Sequence, residues 1–207
     1  MKMKHYTKLS IFSSMIILAI IVSTRIFKTQ KSQELNLHNL FEYRLQITDN
    51  VFSPKEFPFM ISVAQLLKEK GLSEDAVHSR TTGSDGYEYV SVSNDIKTTS
   101  LNEEIKEVYY FVGDMLVTIE YIIPLTKDNK EMVCQNIYNQ VILLNLPNQT
   151  DFSLNGLLQG YNAYRWEDEQ KNRLTIESPK SETNERNTIV ISLILSREAL
   201  AQKLTDK

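Results

Sequence analysis

The sequence predicts an α+β protein in which one N-terminal transmembrane helix precedes a single domain of mainly antiparallel sheet with two or three packed helices. Three observations carry that reading. An uncharged apolar run, Leu9 to Thr24, is bracketed by Lys2, Lys4 and Lys8 before it and by Arg25, Lys28 and Lys31 after it. Two strand-like stretches flank Gly113-Asp114, the composition of a tight hairpin. Segments with helical apolar spacing precede each of two strand-rich regions.

The first run divides the chain into a tail (1–8), a transmembrane signal-anchor (9–27), a linker (28–35) and an extracytoplasmic domain (36–207). As a helix, Leu9 to Thr24 covers only about 24 Å of a hydrocarbon layer of about 30 Å. Ile26 and Phe27 extend the apolar face, and the flanking basic stems can snorkel to the headgroups. The competing reading is a cleaved signal peptide, since the run is short and Ser23 or Thr24 is small enough for a cleavage site. No Ala-x-Ala pattern supports cleavage, and no cysteine follows closely enough for a lipoprotein. The short N-terminal tail favours a cytoplasmic N-terminus and a translocated domain.

Composition narrows the function classes. At 207 residues, with 42% hydrophobic and 24% charged residues, the chain suits one well-packed domain. Its formal net charge of −3 is spread without a basic stripe, which speaks against nucleic-acid binding. The one cysteine, Cys134, allows no intrachain disulfide, so the domain must be held by its core.

Leu35 to Ile47 has mixed spacing that fits either a helix continuing from the membrane or a first strand. A helix is predicted from Pro58 to Lys70, with Gly71-Leu72 as its C-terminal cap, although Ser53-Pro54-Lys55-Glu56 also has the form of a capping box. Tyr87 to Ser93 reads as a strand behind a turn at Thr82 to Gly86. Val108 to Val112 and Met115 to Ile123 then form a hairpin, with Gly113-Asp114 expected as a type II′ turn. A regular register pairs Val112 with Met115, Tyr110 with Val117 and Val108 with Ile119 on one apolar face, and Phe111 with Leu116 and Tyr109 with Thr118 on the other. Asp128 and Glu131 open a second helix with Val133, Ile137, Val141 and Leu144 on one face, ended by Pro147. Tyr161 to Trp166, Arg173 to Glu177 and Ile189 to Leu195 are three further strands, and Ser196 caps a last helix to about Leu204. The order of elements permits a duplicated helix-plus-three-strand unit, without residue-level repetition to support it.

Chemistry is sparsely signalled. His78, Ser79, Arg80, Ser84 and Asp85 lie around Gly83 and Gly86 but lack the spacing of a nucleophile elbow or a phosphate loop, so they read as a solvated connection. Glu167, Asp168 and Glu169 cluster at a turn without the alternation of a calcium loop. His5, His38 and His78 share no ligand spacing, so no metal or other cofactor is expected. Cys134 reads as a small core residue. Tyr161, Tyr164 and Trp166 would form a partner-binding patch if exposed together. The resulting expectation is a non-enzymatic envelope accessory protein, held to membrane lipid through residues 9–27 and docking another envelope or membrane protein. A small-ligand-binding protein or hydrolase, and an immunity or inhibitor protein, are the alternatives.

Overall fold

The computed structural model describes residues 37–98, 101, 103–146, 152–178 and 187–205. The expected tail, span and linker lie outside the described residues. Among the described residues no helix is long and apolar enough to cross a membrane. The architecture is mixed α+β, built on a large antiparallel sheet with a few helices.

Nine strands appear among the described residues: β1 Leu45–Thr48, β2 Val51–Pro54, β3 Val77–Thr82, β4 Glu88–Ile96, β5 Ile105–Val112, β6 Met115–Leu125, β7 Tyr164–Glu167, β8 Arg173–Glu177 and β9 Asn187–Ile194. The first two make a separate hairpin, and the other seven form one sheet in the order β3-β4-β5-β6-β9-β8-β7. The helices are α1 Leu40–Arg44, α2 Val63–Lys70, α3 Lys130–Leu143, α4 Leu154–Leu158 and α5 Arg197–Thr205.

Alternation along each strand gives the sheet two chemically different faces. On the inner face the register lines up Val92, Tyr109, Ile119, Leu193, Leu174 and Trp166 across six strands, all buried. Helices α2 and α3 complete this core through Val63, Leu66 and Leu67, and through Val133, Cys134, Ile137 and Val141. The segment from Leu37 through β2 joins it by burying Leu37, Leu40, Phe41, Leu45 and Phe52. Leu35 to Ile47, undecided in the sequence, contains a 3-10 turn at Leu37–Asn39, helix α1 and the start of β1.

The central hairpin departs from the expected geometry in two ways. Gly113 and Asp114 both have positive φ, +55° and +62°, so the turn is type I′ and not II′. Val112 does face Met115 and Phe111 does face Leu116, but Val117 is then an extra residue, so Tyr110 meets Thr118, Tyr109 meets Ile119 and Val108 meets Glu120. This bulge reverses the parity of the rest of β6. Leu116, Ile119, Tyr121, Ile123 and Leu125 thereby all reach the core, which regular alternation would forbid.

Other boundaries move for local reasons. Helix α2 begins at Val63, behind a capping box of Ser62 and Gln65, whereas Ser53-Pro54 belongs to β2. The intervening chain bends and turns, with Met60 at φ +72°, and is held against the central hairpin because Met60 N donates to Leu116 O and Leu116 N donates to Ile61 O. Asp114 Oδ1 accepts from Val63 N at 2.9 Å, so the hairpin tip also holds the start of α2. Helix α3 ends before Pro147 because Asn145 turns to φ +48° just past its cap. The cap of α5 forms as expected, with Ala199 N donating to Ser196 Oγ at 3.0 Å.

The β7–β8 turn is a latch. Asp168, 4% exposed, accepts from Phe52 N at 2.7 Å and from Asn172 N at 2.8 Å. Asn172 Nδ2 donates to Asp168 Oδ2 and to Phe52 O, and its Oδ1 accepts from Ser196 N at 2.9 Å. One turn thus ties β2 and the exit of β9 together. Replacing Asp168 with Ala leaves buried donors unmatched and should cost about 2–4 kcal/mol in urea unfolding, with Glu169→Ala, on the exposed side, changing it by less than about 0.5 kcal/mol.

Candidate functional site

The aromatic trio does not form an exposed patch. Strand β7 alternates, so Tyr164 and Trp166 point inward at 6% and 3% exposure while Tyr161, ahead of the strand, is 58% exposed. Phe152 packs edge-on against both buried rings, with centroids 4.7 Å from Tyr164 and 5.3 Å from Trp166, and stacks on Tyr138. The trio is core with one exposed rim.

The polar residues around Gly83 are not brought together either. His78 pairs with Ser93 Oγ near the start of the β3–β4 hairpin, whereas Asp85 sits at its turn, accepting from Tyr89 OH at 2.5 Å and Tyr87 N at 3.1 Å. These hydrogen bonds hold the exposed Asp85 carboxyl below its ordinary range, the one from Tyr89 most strongly. Strand β3 itself runs through the stretch that reads in sequence as a connection. At the acidic turn, Glu167 and Asp168 diverge. Glu167 is ion-paired outward to Lys171 at 3.0 Å and Arg173 at 3.1 Å, while Asp168 is the latch. Cys134 is buried in α3, and burial pushes its thiol above the ordinary value. His5 lies outside the described residues, and His38 is exposed in the Leu37–Asn39 turn. Among the described residues no group of three or more His, Cys, Asp or Glu side chains is placed to hold a metal.

The densest chemistry lies elsewhere, on the inner sheet face. Glu107 occupies an inward position of β5 between Ile105 and Tyr109 and has no exposed surface. An unpaired carboxylate there would be prohibitively costly, so the fold brings cations to it. Arg44, from the end of α1, places Nη2 3.3 Å from Glu107 Oε1, and Lys70, from the last turn of α2, places Nζ 3.3 Å from Oε2. Glu56 closes the ring by pairing with Arg44 Nη1 and, at 2.5 Å, with Lys70 Nζ. Tyr109 OH donates to Glu107 Oε2 at 2.6 Å. Lys70 Nζ also lies over the Phe57 and Tyr109 rings, 5.5 and 5.6 Å from their centroids.

The ring is electrically neutral but imperfectly matched. Glu107 Oε1 is close to Arg44 without hydrogen-bond geometry, and Arg44 Nε has no hydrogen-bond partner. Burial lowers the pKa of Lys70, the Glu107 charge opposing that shift and Arg44 reinforcing it. Burial, and then the Glu107 charge, raise Tyr109 and Tyr121 far above the ordinary phenol range. Beside Arg44 a cavity of about 20 Å³ is lined by Leu40, Phe41, Leu45, Tyr121 and sheet leucines and isoleucine. That is room for a single water and not for an organic substrate. The ring joins α1, α2 and β5, three elements distant in sequence.

One signal in the sequence does mark it: Glu107 is the single charge at an inward position of a strand whose other inward residues are Ile105, Tyr109 and Phe111. Arg44, Glu56 and Lys70 carry no such mark, because their partners are set by tertiary packing. In comparisons with protein-family models, curated proteins and solved structures, nothing matches this chain.

Glu107→Gln should lower stability by about 3–5 kcal/mol in urea unfolding, because Arg44 and Lys70 are then left to share one carboxylate, Glu56, between two cations. Arg44→Met should cost a similar amount, and the double variant less than the two together, since each change removes part of the same ring. Alkaline titration gives a second test. The phenols of Tyr109 and Tyr121 are raised in the folded chain, so their contribution to stability is complete below the unfolded tyrosine value of about 10 and is lost as pH rises above it. Absorbance at 295 nm should show these two phenols ionising together with unfolding, and Tyr121→Phe should remove part of that late phase.

Proposed function

We propose that this chain is a membrane-anchored, non-enzymatic accessory protein of the cell envelope, acting through protein–protein contacts as a regulator, chaperone or assembly subunit. The observation that carries the reading is the uncharged run Leu9 to Thr24 between clusters of basic residues, which marks residues 9–27 as a span in lipid. The domain of 36–207 then stands outside the cytoplasm, where tethering raises its effective concentration toward neighbours in the same membrane. The inner face is consistent with a scaffold: the ring around Glu107 joins elements of the domain, and the cavity beside Arg44 is not substrate-sized. Setting aside the edge strand β3 after α2 and the short helix α4 after α3, we read α2 with β4-β5-β6 and α3 with β7-β8-β9 as a duplicated unit whose last strands, β6 and β9, pair with each other.

A reporter active only outside the cytoplasm, fused after Lys207, should be active, and the chain should stay with membranes after alkaline carbonate washing. An inactive reporter, or full-length chain in the soluble cytosolic fraction, would refute the topology. Intact mass of the membrane-bound chain distinguishes an uncleaved anchor from a processed signal peptide.

A further inference from the structure

The outer face of the sheet carries a row of directly paired residues, one from each strand from β4 to β7: Ser93, Val108, Glu120, Ser192, Thr175 and Arg165. Two of them are charged. Glu120 accepts from Tyr110 OH at 3.0 Å and from Ser192 Oγ at 3.5 Å. Neither Glu120 nor Arg165 has an ion-pair partner among the described residues. Between them lie Ser192 and Thr175, 4% and 2% exposed, and Thr175 Oγ1 has no hydrogen-bond partner.

The spacing of this row is self-complementary. Glu120 on β6 and Arg165 on β7 stand three strand separations apart, about 14 Å, and their midpoint falls between β9 and β8. A two-fold axis parallel to the strands at that midpoint sets Glu120 of each copy against the partner's Arg165, and Ser192 against the partner's Thr175. Displacing the axis by half a strand separation removes both charge pairs: toward β9 each Glu120 meets the partner's Thr175 and each Arg165 the partner's Val108, and toward β8 each Arg165 meets the partner's Ser192 while each Glu120 lies beyond the partner's β7. The half-buried Ile122, Val190 and Ile194 in the flanking rows supply apolar contact.

We propose that two copies of this chain dock outer face to outer face about this axis, as aligned sheets about 10 Å apart held in register by reciprocal Glu120–Arg165 pairs. The proposal does not depend on membrane anchoring. The shared surface is only four strands wide, below the usual size of a permanent interface, so the dimer dissociates in the micromolar range.

Sedimentation of the full chain in density-matched mild detergent, from about 1 to 100 μM, should show a monomer–dimer equilibrium. Glu120→Arg and Arg165→Glu should each raise the dissociation constant at least about tenfold, since each sets like charges face to face. An equimolar mixture of the two variants should recover the dimer, because each then offers the charge the other lacks. The neutral Glu120→Gln and Arg165→Gln should weaken it less, and the near-UV signal of Trp166, beside Arg165, reports whether each variant keeps its fold. A chain that sediments as a monomer throughout, a dimer indifferent to both reversals, as association through the leader would be, or a mixture that fails to recover would overturn the proposal.

Discussion

The fold turns on a carboxylate that water does not reach. Glu107 sits in the middle of the inner sheet face, in a row with Tyr121, Ile191, Ile176 and Tyr164. Such a charge is tolerated only with close cations, and both cations come from outside the sheet, one from α1 and one from α2. The constraint therefore acts on topology: an arrangement of these elements that separates Arg44 or Lys70 from β5 strands a buried charge. Apolar burial supplies most of the favourable free energy, and the ion ring supplies specificity by penalising the alternatives.

A second constraint determines which residues face that ring. Without the bulge at Val117, β6 would send Thr118, Glu120 and Ile122 inward beside Leu116, and Ile119, Tyr121 and Ile123 outward. One inserted residue resolves this conflict. It also places Glu120 on the outer face, so a single backbone irregularity keeps one carboxylate of the sheet at the surface while Glu107 stays inside.

The same irregularity explains what the sequence disclosed. Elements with strong local signals are legible: the strand at Arg173 to Glu177, the Gly71 cap of α2, the Ser196 cap of α5 and the tip of the central hairpin. A bulge has no such signature when every residue involved is β-prone, so the register beyond Leu116 was open to error. Strand β3 is polar and exposed along almost all its length, and pairing with β4, not composition, makes it a strand. Whether Tyr164 and Trp166 are exposed is not legible in the sequence, because strand alternation alone does not say which face the rest of the chain covers. At the charged ring only Glu107 was marked, since an ion pair between α1 and β5 is invisible until both are packed.

How the sheet meets other molecules follows from its edges as much as from its faces. Free strand edges are templates for uncontrolled pairing. Both outer strands here are poor ones: β3 is broken by an irregularity between Val77 and Ser79 and projects Arg80, which pairs with Glu88, while β7 is four residues long. Lateral growth of the sheet is thus discouraged at both sides, and the inner face is filled by helices and the N-terminal hairpin. The outer face carries the exposed rings of Tyr89 and Tyr110 and, in Glu120 and Arg165, a charge of each sign without an ion-pair partner among the described residues. A surface with attractive groups between guarded edges favours a contact that closes on itself over one that propagates, and two-fold docking through Glu120 and Arg165 has that property.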